Sequence, residues 1–306
     1  MAVAVEDSAE GFAERMIGVL NDGMLGLMIS VGHRTGLFDA MAAAGPLSSA
    51  VIAERASLNE RYVREWLGAM TTGRIVEYDP TTSQYTLPDD RAAALTRAAG
   101  LGNLAATMQL LGLLSSVEGQ VVRSFREGGG VRYEEYHDFQ RLMAEDSAAI
   151  FDATLLDVTL PLVPGITDRL RAGIDVADVG CGSGHALNLM AQAYPASRFL
   201  GFDISAEGLA AGRREAAARG LTNVTFEQHD AAAIDAVEAF DFITTFDSVH
   251  DQARPDLVLA AIRRALRPGG LYLCVDVQAS SDLEANLDHP MGTFLYAVSA
   301  MHCMTV

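Results

Sequence analysis

Apolar residues recur at helical spacing over residues 12–37, where Met16, Leu20, Leu25, Met28 and Val31 fall on one face and predict a long helix. Ser49 is placed to cap a short helix running through Arg55. Asn59 is placed to cap a second one, whose stripe of Tyr62, Val63, Trp66, Leu67 and Met70 stops at Gly73. Residues 75–78 and 85–87 then flank the turn-rich stretch 79–84, which reads as a hairpin. Helix, helix, hairpin is the order of a winged helix, and Asp89 is expected to cap the helix that follows. From about residue 101 to 165 the pattern is mostly helical, broken by Gly128, Gly129 and Gly130 and by Pro161 and Pro164. The uncharged stretch 98–117 approaches membrane-span length, but Gly100, Gly102, Asn103, Gln109, Ser115 and Ser116 make it read as a buried helix.

From Asp175 onward the period changes. Short apolar runs at 176–179, 199–202, 224–226, 242–246 and 271–275 alternate with helical patterns such as 206–218 and 256–266. Such alternation predicts parallel strands joined by crossover helices. The expected fold class is α/β, a Rossmann-like doubly wound parallel sheet behind an N-terminal, mostly helical winged-helix domain. The expected division is a winged-helix dimerisation and substrate-cap domain over 1–100, a helical connector and cofactor lid over 101–165, and a cofactor-binding core over 166–306.

Composition narrows the functional classes. Half of the chain is hydrophobic and a fifth is charged, with a net charge of −18 and no Lys. An acidic surface repels phosphate backbones, so nucleic acid is not the expected partner. The winged-helix region agrees, since residues 1–100 hold eight Arg against thirteen Asp and Glu. Cys181, Cys274 and Cys303 are too few and too scattered for a disulfide framework, which fits a reducing compartment. The acidic N-terminus lacks the basic start of a signal peptide. A cytoplasmic protein that does not engage a membrane is expected.

Chemistry concentrates in Val176-Ala-Asp-Val-Gly-Cys-Gly-Ser-Gly184, where the first run of the core turns into its first helix. Gly180, Gly182 and Gly184 let the backbone turn tightly and approach a ligand closely, and the helix start beyond them offers free N–H groups. A dinucleotide fingerprint beginning at Gly180 needs Gly or Ala at position 185, where His185 stands; no P-loop Lys follows. The second run ends at Asp203, placed to accept from both hydroxyls of a ribose. The third leads to Asp230, and Arg267-Pro-Gly-Gly270 precedes the fifth.

Asp178, the Gly180-Cys-Gly-Ser-Gly184 pattern, Asp203, Asp230 and the Arg267–Gly270 turn together resemble class I S-adenosylmethionine-dependent methyltransferases, specifically actinobacterial-type small-molecule O-methyltransferases with an N-terminal winged helix. The resemblance implies S-adenosyl-L-methionine as cofactor, with its carboxylate and amine near the loop and Asp178. It implies Asp230 at the adenine amino group. It also implies cofactor contacts from Tyr133, Gly180, Cys181, Gly182, Asp203, Ile204, Ala231 and Phe246, and a homodimer formed through the N-terminal domain. For Asp230, the cap of a following helix is the competing reading; for Asp203, a helix cap or solvated acid; for Cys181, a small buried residue; for Tyr133, an ordinary half-buried tyrosine. A class I core carries seven strands, whereas five can be placed here and thirty residues follow Asp276. The sheet is therefore expected to lack its last strands, the chain to be C-terminally truncated, and residues 291–306 to be helical.

The fourth run ends at Phe246-Asp-Ser-Val-His-Asp251, on the edge that faces the substrate crevice. The resemblance implies that the His250–Asp251 pair is catalytic, with His250 as general base toward a hydroxyl of a small-molecule acceptor. Gln252 stands where the plant enzymes carry Trp. The competing role for His250 is a capping loop residue. A metal site from Asp247, His250 and Asp251 lacks a further ligand, so no metal is expected. Rival readings of the whole chain are a winged-helix transcriptional regulator and a non-catalytic S-adenosylmethionine-binding protein.

Overall fold

The computed structural model describes residues 9–305, which divide at Ser115/Ser116 into two units. The first holds α1 (Ala9–Thr35), α2 (Leu37–Met41), α3 (Ser49–Ala56), α4 (Glu60–Thr72), the β1 (Glu77–Asp79) and β2 (Gln84–Thr86) hairpin, α5 (Asp89–Leu95), α6 (Leu104–Thr107) and α7 (Gln109–Ser116). Phe38, Met41, Ile52, Leu67 and Met70 are fully buried at its centre. Trp66 packs edge-on against Phe38 and donates its indole N–H to the Met28 carbonyl at 2.8 Å.

Several local expectations shift. Ser48 rather than Ser49 caps α3, accepting from the Val51 N–H; Ser49 instead donates to Glu60 Oε1 at 2.6 Å. Asn59 caps α4 as its position predicts. Asp89 is the first residue of α5 and not its cap. The stretch 98–117 is not one buried helix: Gly100, at φ 54°, breaks a 3₁₀ segment, and two short helices follow. The stripe of α1 is only partly buried. Ile29 is covered, while Phe12, Met16, Ile17, Leu20 and Met24 stay exposed. Among the described residues α1 is the one unbroken helix long and apolar enough to cross a membrane by length and composition.

The second unit begins with α8 (Glu118–Glu127), α9 (Phe139–Thr154) and α10 (Ile166–Ala172). Its sheet contains β3 (Asp175–Val179), β4 (Arg198–Asp203), β5 (Val224–Gln228), β6 (Phe240–Phe246) and β7 (Leu266–Val275). The order is β5-β4-β3-β6-β7, and every pairing is parallel. This is the expected doubly wound sheet. The central strand β3 buries Val176, Ala177, Asp178 and Val179, as a strand covered on both faces must. The helices α11 (His185–Ala193), α12 (Ala206–Ala218) and α13 (Pro255–Ala265) cross over between strands. Two apolar clusters fill the faces, one around Leu187, Phe199 and Phe242, the other around Ala177, Ile243 and Ile262.

The Arg267-Pro-Gly-Gly270 turn lies inside β7 and not ahead of it. Register jumps from Phe240↔Leu266 to Phe242↔Leu271, so the turn bulges out without ending the pairing. Five strands form the sheet among the described residues, and β5 and β7 are its edges. After β7 come a 3₁₀ turn, α14 (Gly292–Val298) and a π-turn at Ser299–Cys303, the helical tail the pattern predicts.

Candidate cofactor and acceptor site

The strand order reverses between β3 and β4 on one side and β3 and β6 on the other, the switch point where open α/β sheets bind ligands. The 180–184 loop leaves β3 there. Gly180 has φ 76°, and a Cβ on it would lie 2.5 Å from the Ser248 Cβ, so both handedness and room demand glycine. Gly184 has φ 68°, and a Cβ there would stand 2.2 Å from the Phe226 ring. Gly182, also left-handed, has only Gln140 Oε1 of α9 near its open side, at 3.5 Å.

Asp203, at the end of β4, accepts from the Gly182 N–H at 2.7 Å and from the Ser205 N–H at 2.8 Å. Burial raises its carboxyl above the usual range, and these bonds oppose the rise. Asp203 therefore fixes the loop, and each oxygen keeps a lone pair for another donor. Ile204 beside it is exposed. Asp178 is fully buried and accepts from Thr244 Oγ1 at 2.8 Å; burial pushes its pKa up to about 7. Cys181 is half-buried, its thiol raised by burial, with Sγ against Gly201. α11 starts at His185 with no side-chain cap. The His185 ring bridges Glu215 at 2.7 Å and Asp152 at 3.0 Å, a structural tie between helices.

Asp230 accepts from the Ala232 N–H at 2.9 Å and so caps the short turn Ala231–Ala233; Ala231 is buried beneath it. Phe246 closes β6 with its ring edge-on to Phe151 at 5.1 Å. The Tyr133 hydroxyl accepts from Gln140 Nε2 at 2.5 Å, which links the turn before α9 to the residue facing Gly182. Burial holds the Tyr133 phenol well above its ordinary pKa.

Beyond β6, Asp247 takes φ 47°, a conformation Asp tolerates, and turns the chain so that Ser248 packs over Gly180 and donates to the Val179 carbonyl at 2.9 Å. His250 follows. Its Nδ1 lies 2.5 Å from Asp276 Oδ1, just past β7, and its Nε2 lies 3.1 Å from Asp251 Oδ1. The second contact is an ion pair without hydrogen-bond alignment, for Asp251 Oδ1 is buried with no hydrogen-bond partner. The contact with Asp251 first, then Cys303 and the charges of Asp251 and Asp276, push His250 up to about 11 against its own burial. Burial alone would raise Asp251, but His250 and Cys303 hold it below the usual carboxylate range. One donor atom each of His250, Asp251 and Cys303 lies within 4.8 Å of the others.

Asp276, Thr244, His302 and Cys303 escape the sequence reading. Asp276 was readable in principle, as an acid one residue past the strand beside His250. His302 and Cys303 lie in the helical tail and carry no spacing signal.

Residues 170–297 match the methyltransferase domain family, and residues 23–97 match the Rv2258c-like winged HTH domain family. The chain carries a methyltransferase domain. Its fold agrees: a candidate O-methyltransferase of Nostoc punctiforme superposes with a TM-score of 0.72 at 18% identity, over 96% of this chain and 86% of that one. Human N-acetylserotonin methyltransferase in complex with S-adenosylmethionine gives 0.61 at 17% identity, over 98% and 88%. Among sequence relatives, the fatty-acid O-methyltransferase of Mycolicibacterium smegmatis is 31% identical over 111 residues, 36% of this chain and 40% of that protein. The chain spans about two-fifths of the length of the curated relatives it matches. The methyltransferase domain thus has a glycine cradle at the centre of its sheet, an acid at the end of the next strand and an imidazole between two carboxylates at the end of another. The open side of Gly182, the acid of Asp203 and the uncapped start of α11 fit a nucleoside bearing an amino-acid tail.

Proposed function

We propose that the protein transfers a methyl group from S-adenosylmethionine to a hydroxyl of a small molecule. When bound, the cofactor supplies a methyl group on a cationic sulfonium. The rest falls to residues of this chain. Asp203 accepts from the ribose while holding Gly182, Gly180 to Gly184 keep the backbone close to the amino-acid tail, and Tyr133, Cys181, Ile204, Ala231 and Phe246 line the nucleoside, with Asp230 at the adenine. His250 takes the acceptor's proton, Asp276 holds the imidazole through Nδ1, and the charge of Asp251 stands beside Nε2.

The observation that carries the reading is His250 seated between Asp276 and Asp251 on the same strand edge as the glycine loop. Two flanking carboxylates make this imidazole a strong base and keep it protonated. A pKa of about 11 leaves roughly one molecule in ten thousand with a free imidazole at pH 7. A cation bound beside His250 lowers its proton affinity, so the loaded enzyme is the form in which it works as a base. Labelled-methyl transfer from S-adenosylmethionine to a panel of phenols, aliphatic alcohols and carboxylic acids tests this. Activity should rise with pH above neutrality and fall about 100-fold or more in His250→Gln. A variant as active as the wild type would remove His250 from the mechanism.

The N-terminal unit serves as a dimerisation and substrate-cap domain in this proposal, residues 101–165 as connector and lid, and residues 166–306 as the core. Arg64 pairs with Glu60 and Arg61 with Glu65 on α4, which leaves that helix little free positive charge for DNA. The exposed apolar residues of α1 suit a second copy of the chain. The three cysteines are unpaired, as in a cytoplasmic protein.

A further inference from the structure

The tail at 299–305 is locked to the segment before α9. The Tyr136 hydroxyl donates to the Met301 carbonyl at 2.7 Å and lies 2.9 Å from Thr305 Oγ1. The Val131 N–H donates to the Thr305 carbonyl at 2.6 Å. Gly130 is fitted to this clamp, since a Cβ there would stand 2.1 Å from that carbonyl oxygen.

The clamp delivers His302 to a fixed place. Its ring stacks on Phe139 with centroids 4.1 Å apart at 13°, and meets Tyr136 edge-on at 4.7 Å. It is 2% exposed, and its Nδ1 lies 3.7 Å from Asp251 Oδ2. Asp251 therefore stands between two imidazoles, with Oδ1 toward His250 and Oδ2 toward His302.

We propose that His302 is a positioning residue, acting through Asp251 on His250: its Nδ1–H directs Asp251 Oδ2, so that Oδ1 is held against His250. The proposal rests on the reading of His250 as the acceptor-side base and adds to it the group that tunes that base. A neutral His302 whose Nδ1–H dipole faces Asp251 Oδ2 across 3.7 Å stabilises the carboxylate's charge and weakens its grip on the His250 proton. Burial lowers His302 below the ordinary histidine pKa, which keeps it neutral. The other ionisable groups facing this trio are Asp247 from the loop after β6, Asp276 after β7, Cys303 from the tail, and Tyr133 and Tyr136 from the segment before α9. Asp146 of α9 acts on Asp247.

Long-range proton–nitrogen spectra of the full chain labelled with ¹⁵N-histidine test the pairing without an acceptor. In the wild type His302 should carry its proton on Nδ1 near neutral pH. His302→Phe keeps the stack on Phe139 and removes the donor; it should raise the His250 midpoint by about 0.5 unit or more, read from about pH 8 to 11.5. His302→Asn restores a donor at the Nδ1 position and should return the midpoint to within about 0.2 unit of wild type. A wild-type His302 protonated on Nε2 alone, or a His250 midpoint unmoved in folded His302→Phe, would overturn the proposal. S-adenosylhomocysteine titrated into the same samples reads the cofactor site separately. Its failure to bind would count against methyl transfer, while the spectra would still decide the His302–Asp251 pairing.

Discussion

At the scale of single residues, the sheet centre holds a carboxyl group where an apolar side chain would ordinarily sit. Asp178 is buried on β3 with a pKa of about 7 and one hydroxyl donor, Thr244. A carboxyl raised in the folded state stabilises most below its unfolded pKa and loses that contribution as pH climbs through the folded value. The wild type should therefore lose up to about 4 kcal/mol of unfolding free energy between roughly pH 4 and 7. Asp178→Asn should flatten that slope in denaturant melts across the same range, and an unchanged slope would mean that Asp178 is ionised without cost. His250 has the same sign in a higher window. Its contribution is complete below about pH 6.5 and fades as pH rises through about 11. The residues that carry a pattern were legible in the sequence: three glycines at fixed spacing, an acid at the end of the next run, a His-Asp pair after the fourth. Asp178, Asp203 and His250 all stand at strand ends or centres where the alternation of runs placed them. Thr244 and Asp276 were not legible as partners, because what brings them to Asp178 and His250 is the lateral pairing of strands β3, β6 and β7, which no linear pattern states.

At the scale of elements, the doubly wound core followed directly from the change of period at Asp175, because strands buried on both faces must be continuous apolar runs. The apolar run at 271–275 places the Arg267–Gly270 turn ahead of the strand, whereas the turn bulges within it: Leu266 pairs before the turn and Leu271 after it. Caps were less legible. Adjacent serines at 48 and 49 both qualify as caps, and the helix begins one residue earlier than the hydrophobic pattern suggests. The pattern predicts a helical tail, as found, but carries no sign of its attachment, since Tyr136, Gly130 and Phe139 lie more than 160 residues upstream of their partners. Tyr136→Phe removes two hydrogen bonds from this clamp. About 1–2 kcal/mol of local stability should be lost, so amides of residues 301–305 should exchange roughly 10-fold faster, with the β3 and β4 amides unchanged. Equal exchange in both proteins would show that the clamp is held by packing alone.

At the scale of the whole molecule, the apolar stripe that predicts α1 is covered only toward its C-terminal half, at Ile29, and its first half is exposed. Ile17 and Leu20 are 61% and 68% exposed. A second copy of the chain covers them in the dimer proposed above, and Ile17→Asp with Leu20→Asp should halve the mass seen in sedimentation, with the melting temperature of the core retained. A wild type that sediments as one chain at micromolar concentration would leave that face without its assigned partner. The central claim is that the glycine loop and Asp203 form a cofactor site. Calorimetric titration of the full chain with S-adenosylmethionine, beside Asp203→Ala, tests it most directly. One site per chain with micromolar affinity is expected in the wild type, weakened about 30-fold or more in the variant, near 2 kcal/mol. A folded wild type that takes up no S-adenosylmethionine, or one whose affinity survives the loss of Asp203, would contradict it.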